Sequence, residues 1–417
     1  MKPGAALSWL FLDLNSYFAS VEQQMNPALR GKPVAVVPMM TDYTCAIAAS
    51  YEAKAYGIKT GTSIAEAKQL CPQLRCVLAR HNHYVEYHHK IVDEFTRHTP
   101  LNKVWSVDEM SSHLPPNKRT PETVRALAIR LREGIWKNVG EAINCSIGIA
   151  PNSFLAKIAT DMQKPNGLVI LQPEDMHHRL FALDLMDLPG INTNMHERLR
   201  RAGVTTVEQL WHISPKHARL IWGSVSGERF WYNLHGYDIP DTSTNPGMIG
   251  HSRILDPELR VPEKARQVAR RLILKAGTRL RRKSFYATRL HLSVRIADGP
   301  RWSGEMHMHP AQDNFTFLHA LDEMWEIMRS EEHPAKIKKI SVTLHGLRKP
   351  EELTLDLFHV ETIQDKRQQS LSLLMDRINE KFGAETLRLG ISPQTQAGYL
   401  GTKIAFSRVP DLAEFTE

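Results

Sequence analysis

Residues 10–22 read LFLDLNSYFASVE, and this stretch decides the fold. Its first half alternates, with Leu10, Leu12 and Leu14 on one face, which predicts a strand. Asp13 stands inside that apolar run. A carboxylate buried there alone would be strongly destabilising, so it has to be paired or to hold a cation. From Tyr17 the spacing turns helical: Tyr17, Phe18 and Val21 share a face, and Glu22 follows. The stretch therefore predicts a strand that ends near a carboxylate and a helix that opens on two aromatic rings. Taken alone, it reads as a half-buried strand with a structural aspartate.

A second stretch changes that reading. Residues 104–110, VWSVDEM, predict an apolar strand ending in Asp108 and Glu109. Only tertiary folding could bring these to Asp13. Three carboxylates on neighbouring strand ends would form an all-oxygen site suited to Mg²⁺, which takes a few carboxylates plus water and substrate phosphates. Two such ions stabilise the attacking and leaving oxygens of an in-line phosphoryl displacement.

The chain has 417 residues, 42% hydrophobic, enough for two to four domains with cores of their own. Charges interrupt the short apolar run at the start, which does not read as a signal peptide, and no run is long enough to span a membrane. The four cysteines, Cys45, Cys71, Cys76 and Cys145, lack zinc spacing and read as reduced thiols. A cytoplasmic protein is expected. The net charge of +8 permits nucleic-acid binding. Between Arg253 and Arg295 lie 13 basic and three acidic residues, a local excess that predicts a stripe following phosphates.

Strands alternate with helices through 1–167, which predicts one α/β domain with a central sheet. The histidines at 81, 83, 88 and 89 do not give a three-ligand set, so a surface or substrate-edge role is expected for them. Beyond Leu168 the pattern is helical, with expected helices at 205–213 and 218–235. The turn Leu188-Pro189-Gly190-Ile191 could offer backbone N–H groups to a phosphate. Residues 237–250 are the clearest linker. A second α/β unit follows, with helices at 262–282 and 315–328 and strands at 286–296 and 337–347. It carries the basic stripe and no acidic constellation, so it is assigned to binding. A helix at 369–382 and an irregular tail close the chain.

The motifs DLNSYFASVE, SYEAKAYGIKTG, SVDE, CSIGIAPNSFLAKIATDMQKPNG and LPGIN, in this order, resemble the Y-family, or translesion, DNA polymerases over nearly the whole chain. DLN in place of the commoner DxD looks more like the polymerase V branch than polymerase IV. The resemblance implies an α/β multidomain right hand: a palm at 1–30 and 75–167, small fingers at 31–74 and a helical thumb with a helix-hairpin-helix at 168–240. A linker at 241–249, an α/β little-finger domain at 250–360 and a C-terminal tail at 361–417 complete it. It implies error-prone, template-directed DNA synthesis from dNTPs, past damaged DNA in repair, by a DNA-directed DNA polymerase using two Mg²⁺ ions.

Residue by residue, the resemblance implies Asp13, Asp108 and Glu109 as catalytic metal ligands, with the Leu14 carbonyl completing one shell. Phe18 matches the steric gate against a ribose 2′-OH. Tyr51, Lys54 and Lys164 match the triphosphate-binding set. Gly190, Arg281, Arg282, Lys283 and Arg289 are the expected DNA contacts. This chain departs from the family pattern at Asn15, Ser153 and Lys54. The implied partners are primer–template DNA, dNTP and, through the peptide TLDLF from Thr354 to Phe358, a bacterial sliding clamp. No membrane partner is expected, and the protein should be a monomer. The rival reading is a non-catalytic paralogue acting as a DNA-binding scaffold at stalled forks.

Overall fold

The computed structural model describes residues 6–240, 247–353, 363–383, 386–390 and 409. The chain divides into two compact units, within 1–241 and within 242–401.

The first unit opens with β1 (Trp9–Leu14) and α1 (Tyr17–Met25). Then come β2 (Val34–Val37), β3 (Ala48–Ala49), α2 (Tyr51–Lys54), α3 (Ile64–Leu70), β4 (Arg75–Leu78) and α4 (His81–His98). The hairpin β5 (Lys103–Val104) and β6 (Glu109–His113) leads to α5 (Pro121–Asn138), β7 (Cys145–Ala150), α6 (Ser153–Met162) and β8 (Leu168–Ile170). Five helices end the unit: α7 (Met176–Phe181), α8 (Thr193–Arg201), α9 (Val207–His212), α10 (Pro215–Trp222) and α11 (Val225–Leu234).

β1 is the middle strand of a five-stranded sheet ordered β5-β6-β1-β7-β8. It is buried on both faces. Leu10, Leu12 and Leu14 pack with Tyr84, Ile91 and Phe95 of α4 and Leu127 and Leu131 of α5. Phe11 packs on the other side with Leu155 and Ile158 of α6. Asp13 lies two residues from Phe11, so the strand's period of two aims it at the α6 side. A smaller sheet, β3-β2-β4, closes over Ala35, Val37, Ile58 and Ile64.

Several expected boundaries shift. The strand expected at 104–110 is a hairpin: Trp105 N–H donates to the Glu109 carbonyl at 2.9 Å, so residues 105–108 form its turn and Glu109 begins β6. β4 pairs in parallel with β2, which puts residues 75–78 in the small sheet and not the large one. β8 pairs in parallel with β7, so the helical module begins after it, not at 168. The helix expected at 218–235 breaks at Gly223, whose left-handed φ of +70° caps α10. The next turn returns so closely that a Cβ on Gly227 would sit 2.3 Å from the Ala218 carbonyl oxygen.

The second unit holds β9 (Met248–Ile254), α12 (Pro262–Arg282), β10 (Ala287–Ile296), β11 (Arg301–Ala311), α13 (Asn314–Glu332), β12 (Ile337–His345) and α14 (Ile363–Phe382). Its antiparallel sheet is ordered β11-β10-β12-β9. Leu290, Leu292, Val294, Ile340, Val342 and Leu344 face α12 and α13, meeting Ile273, Phe317 and Trp325. β9 and β11 were not expected from the sequence. β9 starts inside the expected linker 241–249, because Ile249 pairs with Leu344 in the sheet. α14 is held to the unit by Asp376, which accepts from Arg281, and by Ser372, whose hydroxyl accepts from Asn314 N–H at 3.0 Å. The Thr354–Phe358 peptide lies outside the described residues. Among those that are described, no helix is long and apolar enough to cross a membrane.

Candidate active site

Asp13 and Glu109 are direct partners in the β1–β6 register, and Leu14 N–H donates to the Asp108 carbonyl at 2.9 Å. The three acidic residues therefore meet at one end of the central sheet. Lys157 of α6 reaches into them: its ammonium donates to Asp13, lies 2.8 Å from Glu109 and 3.3 Å from Asp161. Lys164 lies 2.8 Å from the other Asp13 oxygen and 2.7 Å from Asp161. Asp108 instead accepts from the Ser106 hydroxyl at 2.6 Å.

These partners set the charges. Burial alone would raise Asp13, but Lys157 and Lys164 overcome it and hold the carboxyl below its usual range. Burial alone would lower Lys157 and Lys164, but the same carboxylates raise both. Asp108 is pushed up to about 6, chiefly by burial and then by the charges of Asp13 and Glu109, against the Ser106 hydrogen bond. The end of the sheet is thus short of positive charge beside Asp108. Among the described residues no group of three or more His, Cys, Asp or Glu side chains is by itself placed to hold a metal ion. The donor set fits divalent ions only with substrate oxygens completing the shell, which is the habit of Mg²⁺.

The expected triphosphate residues come together beside this cluster. The Lys54 ammonium sits 4.3 Å over the Tyr51 ring. Burial and the neighbouring Lys164 ammonium push Lys54 down, against the pull of Asp13. Burial raises the Tyr51 phenol, with Lys164 opposing. Two cations that disfavour each other's charge are stabilised by an anion placed between them. Phe18 is buried and stacks on Tyr84 at 4.3 Å between centroids and 13° between planes.

Asn15, a departure from the family pattern, locks the loop that carries Lys164. Its amide nitrogen donates to Ser146 Oγ at 3.1 Å, and its oxygen accepts from Asn166 N–H at 2.8 Å. Ser153 is the first residue of α6, after the Asn152 cap. The sequence reading gave no role to Lys157, although its i, i+4 spacing to Asp161 was visible. It gave all four histidines a surface or substrate-edge role, and one of them has neither. His88 is buried, with Nδ1 2.7 Å from the Val107 carbonyl, because the helix face it shares with Tyr84 and Ile91 turns inward.

The expected DNA residues do not form one stripe. Arg281 is a correction: it is buried and bonds Asp376, Asn314 and the Gln312 carbonyl, so it is a structural anchor. Arg253 pairs with Asp256, while Arg266 and Arg270 pair with Asp322. Arg282, Lys283 and Arg289 are exposed, Arg289 with Glu305 at 3.3 Å. Arg295, the end of the expected stripe, lies on the open face of the second sheet between Arg301 and Lys339 in register, two residues the sequence reading had not included. In the helical module Gly190 adopts φ +92°, and a Cβ there would meet open space.

Residues 12–161 match the impB/mucB/samB family, and residues 246–357 match that family's C-terminal domain. The chain is similar to a DNA polymerase IV of Bacillus velezensis, 30% identical over 390 residues covering 91% of each chain. A DNA polymerase IV of Moorella thermoacetica is 30% identical over 405 residues, covering 94% of this chain and 98% of the relative. A Y-family DNA polymerase chimera containing Dbh shares the fold with a TM-score of 0.69 at 22% identity, over 82% of this chain and 99% of that one. A Dbh ternary complex has a TM-score of 0.55 at 25% identity, over 81% and 98%. Both sequence relatives carry the polymerase IV name, so the lean toward the polymerase V branch finds no support in them.

Proposed function

The chain belongs to the impB/mucB/samB family, the Y family of DNA-directed DNA polymerases, and on that premise we propose that it extends a primer by two-metal phosphoryl transfer in error-prone synthesis past damaged DNA. The observation that carries this reading is the meeting of Asp13, Asp108 and Glu109 at one sheet end, with Asp108 held by a hydroxyl and raised by burial and by its acidic neighbours.

In this reading the five-stranded sheet is the palm, the small sheet the fingers, the α7–α11 module the thumb and the second unit the little finger. Mg²⁺ ions held by Asp13, Asp108, Glu109 and the Leu14 carbonyl would stabilise the attacking primer 3′-oxygen and the leaving pyrophosphate. Lys157, with Lys164, holds the Asp13 carboxyl below its usual range and lies 2.8 Å from Glu109, which orients both carboxylates as ligands. Tyr51, Lys54 and Lys164 hold the triphosphate, the two ammoniums supplying charge and the phenol a hydrogen bond. Phe18 closes the space that a ribose 2′-OH would need. Asn15 fixes the Lys164 loop, so that ammonium stays in place between turnovers. Gly190, Arg282, Lys283, Arg289 and the Arg295 row contact DNA phosphates without reading sequence.

Purified full-length protein, a primed template, dNTPs and Mg²⁺ test the proposal. Template-directed addition of the complementary nucleotide is expected, including opposite an abasic site. DNA binding with no addition would overturn it in favour of a scaffold.

A further inference from the structure

Behind Phe18 lies a buried polar assembly that has no direct part in the chemistry. Glu22, four residues on along α1 and on the same helix face, is wholly buried. Its carboxylate accepts from the Tyr84 hydroxyl at 2.8 Å, from Arg80 Nε at 3.2 Å and from the Arg80 guanidinium terminus. The Tyr84 hydroxyl in turn accepts from Arg80 N–H at 3.1 Å. Both hydrogen-bonding directions of that hydroxyl are thus used, and the ring plane is fixed. Tyr17 donates to the Tyr84 carbonyl at 2.5 Å, which pins the backbone below. Phe18 rests face to face on this ring, and His81 sits edge-on to both rings at 5.8 and 5.6 Å.

A wholly buried carboxylate is retained at a desolvation cost, and here it has charged and neutral donors that converge on one aromatic plane. An aromatic ring can exclude one oxygen atom only if it cannot tilt. We infer that Glu22 and Tyr84 are positioning residues for sugar selection: Glu22 holds Tyr84, Tyr84 holds Phe18, and the assembly sets how sharply the site rejects a ribonucleotide. This inference rests on Phe18 being the sugar-facing ring.

The test is the ratio of kcat/KM for dNTP over rNTP in Tyr84→Phe and Glu22→Gln, with Phe18→Ala alongside. Tyr84→Phe keeps the stacked ring and removes only its anchor. The ratio should fall by about tenfold, the scale of one hydrogen bond to a charged group. The loss should appear as improved rNTP use while dNTP kcat/KM changes less. A merely structural role would lower the melting temperature and slow both sugars alike. If Phe18→Ala relaxes the ratio while Tyr84→Phe leaves it unchanged, the inference is overturned and the sugar-facing ring stands. If Phe18→Ala leaves the ratio unchanged, the sugar-facing assignment fails and the inference falls with it. Should Glu22→Gln fail to fold, Tyr84→Phe alone decides.

Discussion

Replacing Lys157 by Met should destabilise the first unit in a way that Mg²⁺ reverses. The Lys157 side chain is 19% exposed and touches Asp13, Glu109 and Asp161, whose side chains are 8%, 26% and 34% exposed. Only the Asp13 contact is well shielded from solvent, so it dominates. Removing one partner of a buried ion pair costs about 3–5 kcal/mol. Lys164 remains 2.8 Å from Asp13 and compensates part of the exposed charge. A net loss of about 2 kcal/mol follows, which in a unit of this size lowers the melting temperature by roughly 4–8 °C. Met keeps most of the stem's apolar volume, so cavity formation adds little. Thermal unfolding in EDTA reads this loss directly. Millimolar Mg²⁺ should restore more stability to the variant than it adds to the wild type, by binding only the folded carboxylates. A variant that melts in EDTA at the wild-type temperature would show that Lys157 is not the compensating charge.

Four further outcomes are expected. Phe18→Ala should raise rNTP incorporation by at least about tenfold, measured as single-nucleotide addition; unchanged selectivity would remove its role. Arg281→Ala should cost about 3 kcal/mol in chemical denaturation by leaving Asp376 uncompensated, and any loss of DNA binding should track unfolding. Substituting Ala together at Arg295, Arg301 and Lys339 should flatten the salt dependence of DNA affinity, by about 0.9 in log–log slope for each phosphate no longer neutralised, without altering sequence preference. Asp108 gives a pH signature in EDTA. Its folded value, raised from 3.8 to about 6, means its contribution to stability is present at low pH and is lost as pH rises through about 6. Asp108→Asn should remove that part of the profile.

The opening strand and helix of the first unit were legible because their signals are local. The strand β1, expected half-buried and found buried on both faces, and the aromatic pair opening α1 each follow from adjacent residues. The charge distribution of the second unit was not legible. Counting charges along residues 253–295 cannot see that α13 supplies Asp322 and α14 supplies Asp376, so a sequence excess became internal ion pairs. Lys157 was missed for the same reason: its partners sit on β1 and β6, across the sheet. The 105–108 turn was hidden because Val104, Trp105 and Val107 make an apolar run rich in strand-forming residues, while the Ser106 hydroxyl folds back to Asp108. β11 alternates Trp302, Gly304 and Met306 against Arg301, Ser303 and Glu305, a period of two that the glycine and the charges disguise.

The central claim is that three carboxylates from β1 and the β5–β6 hairpin carry phosphoryl transfer. Single-turnover dNTP incorporation by Asp108→Asn, at saturating primer–template, tests it most directly, because the substitution keeps shape and removes one charge. The account predicts a rate loss of at least about a hundredfold, with DNA affinity and folding near those of the wild type. Incorporation at close to the wild-type rate would contradict it.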